Sequence, residues 1–311
     1  MRTTQIFVYT VSLAIASFSI FFPAKGVSQQ AIYLWQKGKM PNSRQLVFSD
    51  SSANERIYRI REPRMHAFFT SADDNSGTAV LILPGGGYSH LTTNLGGFQL
   101  AKWLNSIGIN AFVLEYRLPG SADVIEPPLA PLQDAQRALK MIRYNSVRWH
   151  LDASRIGVMG TSAGGHLAAL LGTENQDLTG VNDSLRLVSF RPDFMILISP
   201  LIDLSDSANK ESARQFLGKE NSPAQMGKYS AQNRVTSQTP PCFIVQALND
   251  AVVPPHHSVL FLEGLLKNNV SCSFHLFPFG AHKIGANNNP GSTGQWKQLC
   301  EAWLTEMELV K

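Results

Sequence analysis

Gly160-Thr161-Ser162-Ala163-Gly164 is a G-x-S-x-G sequence set between two contrasting runs. Arg155-Ile156-Gly157-Val158-Met159 before it reads as a short apolar strand, and Gly165-His166-Leu167-Ala168-Ala169-Leu170-Leu171 after it has helical composition. A serine on such a strand-to-helix turn sits at strained backbone dihedrals, so only small neighbours fit beside it. The helix aims its positive end and free N–H groups at the reacting oxygen. The chemistry this permits is nucleophilic attack by the Ser162 hydroxyl. A serine hydroxyl is a poor nucleophile at neutral pH, so it needs a base, and the base needs an orienting acid. Asp250 follows the apolar run Cys242 to Ala247, in Leu248-Asn249-Asp250-Ala251-Val252-Val253-Pro254. His282 follows the run ending at Phe277, in Phe279-Gly280-Ala281-His282. Serine, aspartate and histidine thus appear in a chain order that serine hydrolases use.

Attack on a carbonyl builds an oxyanion that needs two N–H donors. Pro84-Gly85-Gly86-Gly87-Tyr88 stands directly after the first core strand, where glycines let the backbone come close to a substrate. Gly86 and Gly87 are the expected donors, with Ala163, the residue after the nucleophile. Tyr88 is expected to contact the substrate. No G-K-[ST] follows these glycines and Rossmann spacing is missing, which argues against a phosphate loop. Asp203 and Asp206 follow the preceding strand and stand as alternative acids. His166 reads as a packing residue, His256 and His257 as solvated first-turn residues, and His150 and His275 as structural. Cys242, Cys272 and Cys300 lie in apolar patterns and read as buried free thiols. No His/Cys/Asp grouping has metal-ligand spacing, so neither a metal nor another cofactor is expected.

The elements that must position these residues alternate from about residue 78 onward. Strands are predicted at 78–83, 111–116, 156–160, 194–198, 242–247 and 272–277. Helices are predicted at about 100–106 and 132–144, after Ser162, at about 258–266 and at about 296–307. Continuous apolar strands interleaved with helices imply a mostly parallel sheet covered on both faces. Chemistry then collects at the carboxyl ends of the strands. Residues 27 to 77 are less regular, and the alternation in Arg56-Ile57-Tyr58-Arg59-Ile60-Arg61 suits antiparallel edge strands with one exposed face. The segment from about Asp203 to Thr239 is polar and strandless, and reads as a short lid over the sheet's active edge.

The chain has 311 residues, 44% hydrophobic and 16% charged, with a formal charge of +4. That composition suits one large globular domain, and the scattered charge implies no nucleic-acid partner. Arg2 followed by the uncharged, apolar stretch Ile6 to Phe22 and by Ala24-Lys25-Gly26 reads as a signal peptide over residues 1–26. Residues 27–311 are then the mature domain, periplasmic or secreted, with no stable membrane association after cleavage.

Taken together, these motifs resemble the bacterial carbohydrate esterases of the α/β-hydrolase family, the acetylxylan and feruloyl esterase-like group. The likeness runs from about Tyr33 to the C-terminus and includes Leu34-Trp35, Met40-Pro41, the glycine loop and Tyr116-Arg117-Leu118. It extends through Asp134-Ala135-Gln136-Arg137-Ala138, the Ser162 turn, Asp250 before Val253-Pro254, and Gly280-Ala281-His282. Two departures are Leu95-Gly96-Gly97, where the family often has Glu-Gly, and Lys283 after the histidine, where Gly is usual. The resemblance implies a metal-free serine esterase acting on acetyl or other small acyl groups of a carbohydrate. A peptidase or lipase on the same fold, or a hydrolase-like carbohydrate-binding domain without chemistry, are the alternatives.

Overall fold

The computed structural model describes residues 31–180 and 182–310, so the expected signal peptide lies outside the described residues. Its eight-stranded sheet has six strands close to those predicted: β5 (Ala79–Leu83), β6 (Asn110–Glu115), β7 (Ile156–Thr161), β8 (Met195–Ile198), β9 (Cys242–Ala247) and β10 (Cys272–Phe277). β6, β5, β7, β8, β9 and β10 lie side by side and parallel, while β1 (Ala31–Tyr33) and β4 (Arg64–Phe68) complete the other edge antiparallel. β5 is buried at every position because both of its faces are covered. Its Leu81 and Leu83 point to one core, and Val80 and Ile82 to the other. The first core receives α2 (Leu129–Tyr144), α3 (Ala163–Thr173) and α6 (His256–Lys267); the second receives α1 (Gln99–Ser106) and α7 (Trp296–Glu306).

Two expectations are refined. The Arg56 to Arg61 run is antiparallel, but β3 (Arg56–Arg59) pairs with β2 (Ser51–Ala53) in a hairpin outside the main sheet. β3 buries none of its residues, whereas β4 buries Met65, Ala67 and Phe68, so the hydrophobic effect gives the sheet position to β4. The polar segment after β8 has no strand, as expected, yet it is helical: α4 (Lys210–Leu217) and α5 (Pro223–Tyr229) cap the sheet. α4 starts beyond a short turn whose Asp206 side chain accepts from the Ala208 amide, and it buries Ala213, Phe216 and Leu217.

The N-terminal segment is fastened at the same end of the sheet. Arg117 and Asp134 form a fully buried ion pair at 2.9 Å, and Arg117 also donates to the Pro41 carbonyl at 2.7 Å. Trp35 Nε1 donates to the same Asp134 at 2.8 Å. An ion pair with both charges buried needs these further hydrogen bonds to offset its desolvation.

Candidate active site

Ser162 occupies the step between β7 and α3 at φ 54° and ψ −122°, a region that L-residues rarely enter. Such a turn demands small neighbours. A Cβ on Gly160 would lie 2.1 Å from the Gly164 carbonyl oxygen, and one on Gly164 would lie 2.0 Å from that of Leu83. Backbone bonds hold the turn: the Ser162 amide donates to Ile198 at 3.0 Å, and the Leu201 amide donates to the Ser162 carbonyl at 3.1 Å.

His282 stands 2.9 Å through Nε2 from Ser162 Oγ, and 2.7 Å through Nδ1 from Asp250 Oδ2. It lies on a short turn after β10, entered through Gly280 and Ala281; the Ala281 amide donates to Asn249 Oδ1 at 2.8 Å, tying the histidine loop to the aspartate loop. Asp250 is buried, and its Oδ1 accepts the amides of Val252 and Val253, both at 2.9 Å. Burial alone would raise this carboxyl, but the bonds from His282, Val253 and Val252 outweigh it and hold the pKa below the usual carboxylate range. A charged acid facing Nδ1 leaves Nε2 free to accept the serine proton. Asp203 is engaged instead by Ser205 and Ser230, and Asp206 by the histidines of α6, so Asp250 is the acid that meets His282.

The glycine loop faces this group. Gly86 (φ 137°) and Gly87 (φ 60°) line the same cleft as Ser162 and His282. Ala163 is the first residue of α3, where a helix leaves its own amides unpaired. Thr161 Oγ1 accepts the Gly85 amide at 3.0 Å, which anchors the loop to β7, the strand that leads into Ser162. The cleft measures about 790 Å³ and is walled by polar groups that include Arg56, His90, Gln99, Asn209, Gln215 and Asn287. The two departures from the family pattern, Leu95 and Lys283, line it as well.

Tyr88 is a correction. Its side chain is 1% exposed and does not reach the cleft, because φ 60° turns it down into the core. There its hydroxyl meets His166 Nδ1 at 2.7 Å and its ring lies 4.7 Å from that of Phe216, so it props the glycine loop on α3 and α4. His166 in turn meets the Tyr229 carbonyl through Nε2 at 2.8 Å, and burial pushes its pKa down to about 4.

His257 is a second correction. It is fully buried, and its pKa is about 4, lowered by burial first and then by the charge of His256. Asp206, His256 and His257 bring ligand atoms within 4.8 Å of one another, a grouping that chain spacing concealed. The hydrogen bonding does not suit a cation. His257 Nδ1 accepts the amides of Ile202 (3.3 Å) and Asp203 (3.1 Å), so its proton sits on Nε2 and no lone pair faces Asp206. The group is a latch between the cap and α6.

The BD-FAE family model matches residues 66–265, most of the chain. The chain belongs to the BD-FAE family. This BD-FAE chain is 34% identical to an acetylxylan esterase of Xylanibacter ruminicola over 68% of its own length and 42% of that protein's. It is 32% identical to endo-1,4-beta-xylanase B of Butyrivibrio fibrisolvens, over 75% of its length and 36% of the relative's. It therefore spans less than half of either relative. Among solved structures, an acetyl ester-xyloside bifunctional hydrolase from Caldicellulosiruptor lactoaceticus superposes with a TM-score of 0.78 at 34% identity, covering 92% of the BD-FAE chain and 100% of the other. The esterase Est2 of Thermogutta terrifontis shares the fold at 20% identity and a TM-score of 0.69. The fold is that of the α/β hydrolases.

Proposed function

We propose that this chain is a serine esterase that hydrolyses small acyl esters of carbohydrates, acetyl esters foremost. The observation that carries the reading is the unbroken line from Ser162 Oγ through the His282 ring to Asp250, opening into a cleft of mixed polar and apolar lining. Ser162 attacks the ester carbonyl while His282 Nε2 takes its proton and then returns it to the leaving alcohol. Asp250 holds the histidine tautomer and stabilises the imidazolium. Amides of Gly86, Gly87 and Ala163 receive the oxyanion. Water then repeats the sequence on the acyl-enzyme.

The acyl and sugar assignment rests on the acetylxylan esterase and acetyl ester-xyloside hydrolase among the relatives and on the polar side chains, Arg56, Gln99, Asn209, Gln215 and Asn287, in the cleft wall. Partners are then acylated carbohydrates or other small esters, with no nucleic acid and no metal in the chemistry. Export to the periplasm or beyond follows from the segment 1–26, and among the described residues no helix is long and apolar enough to cross a membrane. Ser162→Ala tests the core of the reading. It should keep the native Tm, lose labelling by a fluorophosphonate and lose several orders of magnitude in kcat on acetate esters. Retained acetate release by this variant would remove the mechanism.

A further inference from the structure

All three cysteines stand as free thiols, yet the sheet brings two of them together. Cys242 opens β9, Cys272 opens β10, and they are register partners in that parallel pair. The Cys242 amide donates to the Ser271 carbonyl at 3.0 Å, which fixes the register at this end. Register partners on neighbouring strands present their side chains to one face. Both cysteines accordingly pack on the core that α6 covers. Their Cα atoms stand one strand spacing apart, about 4.8 Å, inside the roughly 4.4–6.8 Å that a disulfide bridges. The Cβ atoms must draw in to about 4 Å, which the first residue of an edge strand can do. Cys300 packs in the other core, across the sheet from both.

We infer that Cys242 and Cys272 form a disulfide that clasps β10 to β9 and leaves Cys300 as the free thiol. The oxidant is a small-molecule disulfide, oxidised glutathione for instance, which an exported chain meets as it folds. Exchange runs before α6 covers the pair. Cys272 attacks the oxidant and one glutathione thiolate leaves; Cys242 then attacks the Cys272 sulfur and expels the second. Two S–H bonds break, one S–S bond forms in the protein, and the oxidant's own S–S bond is reduced to two thiols. In the folded chain burial, and after it the neighbouring Cys272 thiol, pushes the Cys242 thiol up, so reopening by exchange at Cys242 is unfavourable once the core has closed. The bond lies at the amino ends of the strands, whereas Ser162 and His282 lie at the carboxyl ends, so it adds stability without entering the chemistry.

The protein is refolded in reduced and oxidised glutathione at pH 8.5, alkylated and mapped by peptide mass spectrometry, with a cooperative melt identifying folded material. Alkylation should fall from the three cysteines of the chain to Cys300 alone, with the Cys242 and Cys272 peptides joined. Reduction with dithiothreitol should then lower Tm by roughly 5–10 °C, through the freed loop from 242 to 272. In Cys272→Ser the same reduction should leave Tm where it was. kcat/KM on p-nitrophenyl acetate should be the same before and after reduction. Three alkylated cysteines in the folded protein, a bridge that includes Cys300, or glutathione held on Cys272 without a bridge overturns the inference. So does a Tm that reduction leaves unchanged in the native sequence. The mapping needs no substitution and no turnover, so its failure leaves the esterase reading standing.

Discussion

Asp250→Asn is the most discriminating perturbation of the site, because the surroundings dictate how the new amide must lie. Oδ1 accepts two backbone N–H groups, from Val252 and Val253, while Oδ2 meets His282 Nδ1 at 2.7 Å. An asparagine that kept its carbonyl oxygen toward His282 would aim its NH₂ at both valine amides. Those two donor–donor contacts at 2.9 Å outweigh the single one, with Gln246 Nε2 at 3.3 Å, that the opposite orientation makes. The NH₂ therefore turns toward Nδ1, which must accept, and the ring proton moves to Nε2, facing Ser162. The histidine then donates to the serine when it should take the proton from it. Loss of the tautomer in a related triad lowers kcat by about 10⁴, or about 5 kcal/mol of transition-state stabilisation. The assay is kcat/KM on p-nitrophenyl acetate from pH 6 to 9, with ¹⁵N shifts of His282 to read the tautomer and Tm to read the fold. Asp203→Asn and Asp206→Asn should cost far less in the same assay. Asp250→Asn activity within about tenfold of native, or a ring proton still on Nδ1, would refute the reasoning.

Gly86→Ala should depress kcat by about 10²–10³ through loss of an oxyanion donor. Its Cβ would lie 2.0 Å from the His90 carbonyl oxygen, forcing the loop to move. Single-turnover acylation measures the effect, and a native rate would strike Gly86 from the donors. Along a series of p-nitrophenyl esters, kcat/KM should peak at acetate or propionate and fall by octanoate. A steady rise of about 0.8 kcal/mol per added CH₂ would instead mark a lipase-like apolar tunnel. Acid should destabilise the fold before it protonates carboxylates. His166 and His257 have folded pKa values of about 4, so between there and about 6.5 the unfolded chain binds more protons. Stability then falls with falling pH by up to about 1.4 kcal/mol per pH unit for each histidine. The depressed Asp250 carboxyl extends the loss to lower pH still. Urea unfolding at pH 7, 5.5 and 4.5 reads the slope, and a flat profile would show that these histidines are not buried neutral.

The core strands were legible because burial on both faces writes them as unbroken apolar runs, as in Ala79-Val80-Leu81-Ile82-Leu83. The meeting of Ser162, Asp250 and His282 was legible for a topological reason. Each follows a strand of one parallel sheet, so their loops emerge at one edge. Tyr88 was misread because nothing in a glycine-rich string tells that the next residue takes φ 60° and turns inward. His257 was misread because its environment comes from Ile202, Asp203 and Asp206, which precede it by a whole cap whose helices the polar composition disguised. Arg56 reaches the cleft wall through the bridge between Ile57 and Leu91, a long-range pairing of two irregular stretches with no periodic signal.

Among the described residues, β10 is bonded to β9 on one side and to no strand on the other. Its first four residues are only half-buried, Leu276 is 43% exposed, and only Phe277 is buried. His282 hangs five residues beyond that strand's end, while Ser162 is pinned between central strands. Edge elements open with free energies well below that of the whole domain. A brief detachment of β10 would carry away His282 and the Asn249–Ala281 tie together, and leave the serine turn standing. In the proposed mechanism such an opening silences catalysis without melting the core. Amide exchange in β10 should then run ahead of exchange in β7, and thermal inactivation should follow the grip of one border strand.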